Sequence, residues 1–407
     1  MTLHGTIRSP KAIYFGSGQR HAIPQIVAAL GNRAFICGDE RLRQDPKLNS
    51  IVEAIQQSGI EAVVYDRTVA ELPLECIEEA SEEARNFRPD VIVGIGGGSC
   101  LDVAKLVSLS LAHGADLSKF YGEFKVPSPV LPIIAVPTTA GTGSEVTPVA
   151  VLGDPARQTK VGISSPYLLP EISVCDPELT FTCPPRLTAI AGADALTHAI
   201  EAFTAISHPF EPDLPLRQVF IGKNALSDTQ ARAAIAALAG NLEKAVKDGN
   251  DAPARELVMY GSMAAGMAFG VAGTAAAHAI QYPIGALTKT AHGLGVAALL
   301  PYVMQFNRPC CTTSFAEIAR LFGATAGTED DLADRAIDLV TQLFAAIGIP
   351  STIADLGVTQ DQLPWIAEQA LLSARLVNNN PRPLDRDVLL RIATASFTGD
   401  RQRLCGN

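Results

Sequence analysis

The chain has no CxxC pair, no compact cysteine framework, no basic patch and no long uninterrupted apolar run. Its eight cysteines (Cys37, Cys76, Cys100, Cys175, Cys183, Cys310, Cys311 and Cys405) are scattered, which excludes a disulfide scaffold and suits buried thiols in a reducing compartment. The net charge of -10 argues against nucleic-acid and anionic-membrane partners, because both select concentrated positive charge. The first residues hold no apolar segment of export length, so a cytoplasmic setting is expected. The uncharged stretch 261–280 is rich in Gly and Ala and only mildly apolar, and it reads as a buried helix pair rather than a membrane span. There is no internal repeat and no low-complexity linker.

What is present is a large globular chain: 407 residues, 47% apolar and 18% charged, enough for two or three domains with a sizeable core. The first half alternates strand and helix signals. KAIYFGSG, RAFICGD, AVVYD, DVIVGIGGGS and PIIAVPTT read as strands, with helices between them that include 47–58 and 74–86. This alternation predicts a parallel sheet covered by helices. After Pro184 the strand signal fades into long Ala/Leu-rich periodic segments, among them ARAAIAALAGNLEKAVK and DLADRAIDLVTQLFAAIG. The expected organisation is an α/β dinucleotide-binding domain over 1–183 and an all-α metal-binding domain over 184–407, divided at the two prolines 184 and 185, with the active site in a cleft between them.

Three local patterns carry chemistry. Asp194 and His198 lie four apart in AGADALTHAIEAF, a helical sequence, so both project from one helix face. With His278 and His292 downstream, one carboxylate and three imidazoles are available to a divalent metal. Taken alone, Asp194 and His198 better suit an ordinary exposed i,i+4 pair. The second pattern is the strand Asp90–Gly98 breaking into glycines at Gly96, Gly97 and Gly98 and restarting as a helix, with Ser99 expected to cap it. Such a turn brings backbone amides and a helix N-terminus up to a phosphate. The third is Pro137–Glu145, a loop of hydroxyls and glycines that suits either a polar ligand or a Ser/Thr turn network.

Taken together, GGGSxxDxAK (Gly96 to Lys105), PTTAGTGSEVT (Pro137 to Thr147), DALTHAIE (Asp194 to Glu201) and the pair His278 and His292 resemble the iron-containing, or group III, alcohol dehydrogenase family. The resemblance runs from about Lys11 to the segment Asn378–Leu384. It implies a dehydroquinate-synthase-like fold and a homodimer. It also implies hydride transfer between a small alcohol or aldehyde and NAD, with NADP an alternative, at a site holding Fe(II), or Zn(II), through Asp194, His198, His278 and His292. By the same resemblance Gly97, Gly98 and Ser99 take the cofactor pyrophosphate and Asp102 faces the nicotinamide side. Thr138, Thr139, Thr142 and Ser144 line the adenine and ribose path, and Lys160 lies near the cofactor.

Asp39 ends the strand-like AFICGD, where a carboxylate accepts the adenosine ribose hydroxyls and repels a 2′-phosphate, or else caps the turn beginning at Glu40. Two features depart from the family pattern. Family members commonly carry HxxxH, whereas this chain has His278 followed by Tyr282, and the segment Ser207–Asp228 reads as extra material. Phenol, with a pKa of about 10, is a poor base near neutrality, so Tyr282 is expected to donate a hydrogen bond or to pack. A hydroxyacid-oxoacid transhydrogenase with tightly held nicotinamide is the alternative activity, and a dehydroquinate-synthase-like lyase a third.

Overall fold

The computed structural model describes residues 4–154 and 159–405. They form two compact units. Arg8–Cys183 together with Asp213–Val219 make the α/β unit, and Pro184–Pro212 with Phe220–Asn407 make most of the helical one.

In chain order the strands are β1 (Ala12–Phe15), β2 (Arg33–Cys37), β3 (Glu61–Tyr65), β4 (Val91–Gly96), β5 (Gly122–Glu123), β6 (Ile133–Pro137), β7 (Val149–Asp154), β8 (Thr159–Ser164) and β9 (Ile172–Cys175). Six of them form a parallel sheet in the order β1-β9-β6-β4-β2-β3. Alternation along each central strand divides its side chains between two cores. Phe35, Cys37 and Ile92 pack on one face with Val103 and Leu106, while Ala34, Ile36, Val91 and Val93 pack on the other with Ile51 and Ile55. A sheet buried on both faces needs such continuous apolar strands. The antiparallel pair β7–β8, joined by β5 into a second small sheet, was not anticipated among the strand signals.

The strand order places the loop after β2 and the loop after β4 on adjacent strands from which the chain departs in opposite directions. Ligands of open α/β sheets bind at such a switch point, outside the carboxyl ends of the strands. Asp39, the glycine turn and the Pro137–Glu145 loop all follow strands at that edge.

The helical unit is built on the helices Pro185–Thr204, Ala225–Lys247, Ala252–Ala272, Ala276–Thr288 and His292–Asn307. Pro185 sits at the first helical position, where a missing N–H costs nothing. The stretch 261–280 lies in the buried helices Ala252–Ala272 and Ala276–Thr288, which bend by 100° at their junction. Gly273 makes this bend with φ +80, and a Cβ there would fall 2.9 Å from Asn379 Nδ2. That amide donates to Ala272 O (2.9 Å) and Thr274 O (3.1 Å), tying down both sides of the bend. No helix among the described residues is by itself long and apolar enough to cross a membrane.

Candidate metal and dinucleotide sites

The metal candidates come from three helices of the helical unit, Pro185–Thr204, Ala276–Thr288 and His292–Asn307. Asp194 and His198 project one turn apart from the Pro185–Thr204 helix, with Nε2 of His198 3.7 Å from Asp194 Oδ1. His278 is the third residue of its helix, and its Nε2 lies 3.9 Å from the same oxygen. That helix ends with Lys289 in the left-handed region, and His292 begins the next one. A Cβ on Gly293 would stand 2.6 Å from Ile190 O and 2.9 Å from Asp194 Cβ, so the glycine lets the His292 helix press against the Asp194 helix.

Ligand atoms of Asp194, His278 and His292 all lie within 4.8 Å of one another. His198 joins them through Asp194 and by stacking on the His278 ring, with centroids 4.8 Å apart, and it also stacks on Phe269 at 4.2 Å. Asp194, His198 and His278 are buried. Burying a carboxylate among imidazoles is costly unless a cation compensates it.

Glu201 completes this arrangement, although the sequence reading gave it no role. It lies one turn beyond His198 on the same helix and is buried. Its carboxylate accepts the backbone amides of Ala275 (2.9 Å) and Ala277 (2.7 Å), capping the helix that carries His278, and receives the Nδ1–H of His278 at 2.6 Å. The opposite nitrogen, His278 Nε2, is buried without a hydrogen-bond partner among the described residues. A histidine whose Nδ1–H is held by a carboxylate and whose Nε2 is left with a lone pair has the form of a metal ligand. The donor set therefore fits a divalent cation.

In the α/β unit the turn after β4 is a bare backbone cradle. Gly96 has φ +148, and a Cβ on Gly98 would stand 2.7 Å from Thr142 Cγ2. Gly97 faces Thr139 at 3.6 Å, so the glycine turn and the threonine loop lie side by side, as Gly96 and Pro137 are paired in the sheet. Thr138 Oγ1 is buried with no hydrogen-bond partner among the described residues. The helix Gly98–His113 begins earlier than the sequence reading supposed. Its N-cap is Gly97, so Ser99 lies inside the first turn and is not the cap. No side chain caps its start, the arrangement that anion-binding helix starts use.

Two of the expected cofactor-contact residues, Asp102 and Ser144, are hydrogen-bonded to each other. Ser144 is buried, and its hydroxyl donates to Asp102 Oδ1 (2.6 Å) while accepting from Lys105 Nζ (2.9 Å). Asp102 also accepts Val151 N at 3.0 Å; burial raises its pKa, against the pull of Lys105 and these hydrogen bonds. Lys105, part of the motif but given no role from sequence, is fully buried. It donates to Ser144 O (2.7 Å), Thr147 O (2.9 Å) and Val149 O (2.7 Å), and burial brings its pKa down to about 8. It thereby staples the glycine helix to the threonine loop. Lys160 pairs with Glu71 and is near enough to Asp102 to favour its ionised form.

Asp39 holds the turn that leads into the helix Arg41–Gln44, whose N-cap is Glu40, and also binds a side chain. Its Oδ1 accepts Arg41 N at 3.1 Å, and both carboxylate oxygens receive the Arg41 guanidinium. Burial raises the Asp39 pKa, but Arg41 outweighs it and holds the carboxyl below its ordinary value. Tyr282 stacks beside His292, with ring centroids 6.0 Å apart. Burial raises its pKa above that of a free phenol. In the segment read as extra, Asp213–Val219 belongs to the α/β unit, where Val219 N donates to Glu123 Oε2 at 2.9 Å.

Both parts of the chain match known proteins. Residues 10–177 match the iron-containing alcohol dehydrogenase family, and residues 188–397 match the C-terminal region of the Fe-containing alcohol dehydrogenase family. The chain is 35% identical to long-chain-alcohol dehydrogenase 1 of Geobacillus thermodenitrificans, over 93% of this chain and 92% of that one. It is 34% identical to a 1,3-propanediol dehydrogenase of Klebsiella pneumoniae, over 95% of this chain and 97% of that one. A crystal structure of 1,3-propanediol oxidoreductase superposes with a TM-score of 0.90 at 33% identity, covering 97% of this chain and all (100%) of that one. The α/β and helical units thus form a dehydroquinate-synthase-like fold, and the chain belongs to the iron-containing alcohol dehydrogenase family.

Proposed function

We propose that the protein is a metal-dependent, NAD-linked dehydrogenase of small primary alcohols that also works in reverse as an aldehyde reductase. The observation that carries this reading is the convergence of Asp194, His278 and His292, with His198 adjoining and Glu201 fixing the His278 tautomer. Asp194, His198, His278 and His292 would hold Fe(II), carried by family membership, with Zn(II) the competitor that affinity order favours. The chemistry that the two groups supply when bound is Lewis-acid polarisation of the substrate oxygen and exchange of a hydride with the substrate carbon. The names of the relatives, a long-chain-alcohol dehydrogenase and a 1,3-propanediol dehydrogenase, support an alcohol carbon as the hydride donor.

The chain's own residues supply position and electrostatics. Glu201 keeps the His278 proton on Nδ1 and turns Nε2 toward Asp194. Gly97, Gly98 and Ser99 offer helix-start amides to the pyrophosphate. Asp102 and Lys105, joined through Ser144, hold that turn against the loop in which Thr138, Thr139 and Thr142 face the dinucleotide. Lys160 offsets the Asp102 charge. Tyr282, kept protonated by burial beside His292, is available as a hydrogen-bond donor and does not act as a base. A reducing, cytoplasmic setting and homodimeric assembly belong to the same reading; the eight cysteines, all free thiols, suit the former.

The test is a screen of short primary alcohols and diols with NAD+ and NADP+, and of acidic aldehydes with NADH and NADPH, run after metal analysis. Net oxidation of an alcohol with free NAD is the expected result. Turnover only when two organic substrates are supplied together would contradict it and mark a transhydrogenase.

A further inference from the structure

The carboxylate at the end of β2 is not free to face a ribose alone. Arg41 Nε donates to Asp39 Oδ1 (2.9 Å) and Oδ2 (3.1 Å), and its Nη2 donates to Oδ2 at 2.6 Å. Cys100, in the first turn of the glycine helix, lies 3.6 Å from the same Oδ2. The guanidinium also borders the phosphate turn, since a Cβ on Gly96 would stand 4.0 Å from Arg41 Nη2. Both side chains keep a solvent-facing part, 39% for Arg41 and 24% for Asp39. Arg43, on the same short helix Arg41–Gln44, is committed elsewhere, to Asp66.

This pairing changes what the position selects. A lone carboxylate accepts the ribose diol and repels a 2′-phosphate. Here a guanidinium neutralises it, and at least the Nη1 donors point to no acceptor in that pair. An Arg beside the ribose site is the usual partner of a 2′-phosphate, because its planar fork matches phosphate oxygens.

We propose that Arg41 is the residue that decides 2′ recognition: anchored by Asp39, it binds the 2′-phosphate, so that the protein takes NADP(H) as well as NAD(H). The proposal rests on the glycine turn being the dinucleotide site. Asp39 remains an acceptor for the ribose of NAD(H), while its charge no longer excludes the phosphorylated cofactor.

The test is direct binding, followed by nicotinamide fluorescence, of NADH and NADPH to the wild type, Arg41→Ala and Arg41→Lys. Losing a charge-assisted contact to phosphate is expected to weaken NADPH by roughly 10- to 100-fold in Arg41→Ala. NADH should change by less than about threefold, since it has no 2′-phosphate to lose. Arg41→Lys should recover part of the NADPH affinity, as a point charge without the fork. Equal weakening of both dinucleotides in Arg41→Ala would make Arg41 only a brace for Asp39 and would overturn the proposal. So would a wild type that binds NADH but not NADPH. A wild type that binds neither would overturn the dinucleotide site itself, and with it the proposal.

Discussion

Glu201 Oε2 stands 2.6 Å from Nδ1 of His278, and this contact decides which imidazole nitrogen faces Asp194. The same carboxylate caps the helix on which His278 rides, so ligand orientation and helix start are set by one side chain. Glu201→Gln should therefore keep the fold, since its amide oxygen can still accept one of the two backbone N–H groups that now sit on separate carboxylate oxygens. Metal affinity should fall by roughly 10- to 100-fold, the usual loss when such an outer carboxylate is removed. Competition with a chelator measures this, and unchanged affinity would reduce Glu201 to a helix cap.

Glu145, buried beside the Lys105 staple, makes a pH-dependent contribution. Burial raises its pKa from 4.5 to about 7, against the opposing pull of its backbone hydrogen bond and Lys105. Between these values the folded state holds more protons at this site than the unfolded state does, so its contribution to stability falls as pH rises through the window. Two and a half units correspond to about 3 kcal/mol as an order of magnitude. Glu145→Gln should remove that slope. Urea unfolding at pH 5 and pH 8 should show the wild type losing more stability than the variant; parallel slopes would contradict the assignment.

Tyr282 sits beside His292 as a protonated phenol. Tyr282→Phe should lower turnover by less than about tenfold, below the roughly 10²- to 10⁴-fold loss of a general acid or base. A thousandfold loss with metal and NAD binding intact would assign the proton to the tyrosine after all.

The sequence made the elements and the ligand candidates legible because both are local. The Asp194/His198 pair follows from helical spacing, and the glycine turn from a strand that breaks and restarts as a helix. What it did not disclose depends on partners far along the chain. Glu201 meets His278 across 77 residues, and Lys105 reaches Thr147 across 42. Ser99 was misplaced as a cap because helix starts are defined by backbone geometry, which lets Gly97 take that position. Asp39 left two readings open, and its capture by Arg41, only two residues away, shows that side-chain direction can hide even a local contact.

If Asp194 and His278 hold a metal, metal content per folded chain depends on both side chains. Asp194→Ala and His278→Ala should each fold, by circular dichroism and cooperative unfolding, yet carry less than about a tenth of the wild-type metal after dialysis, because each loses a ligand on which the site depends. Full metal occupancy in both folded variants would contradict the account.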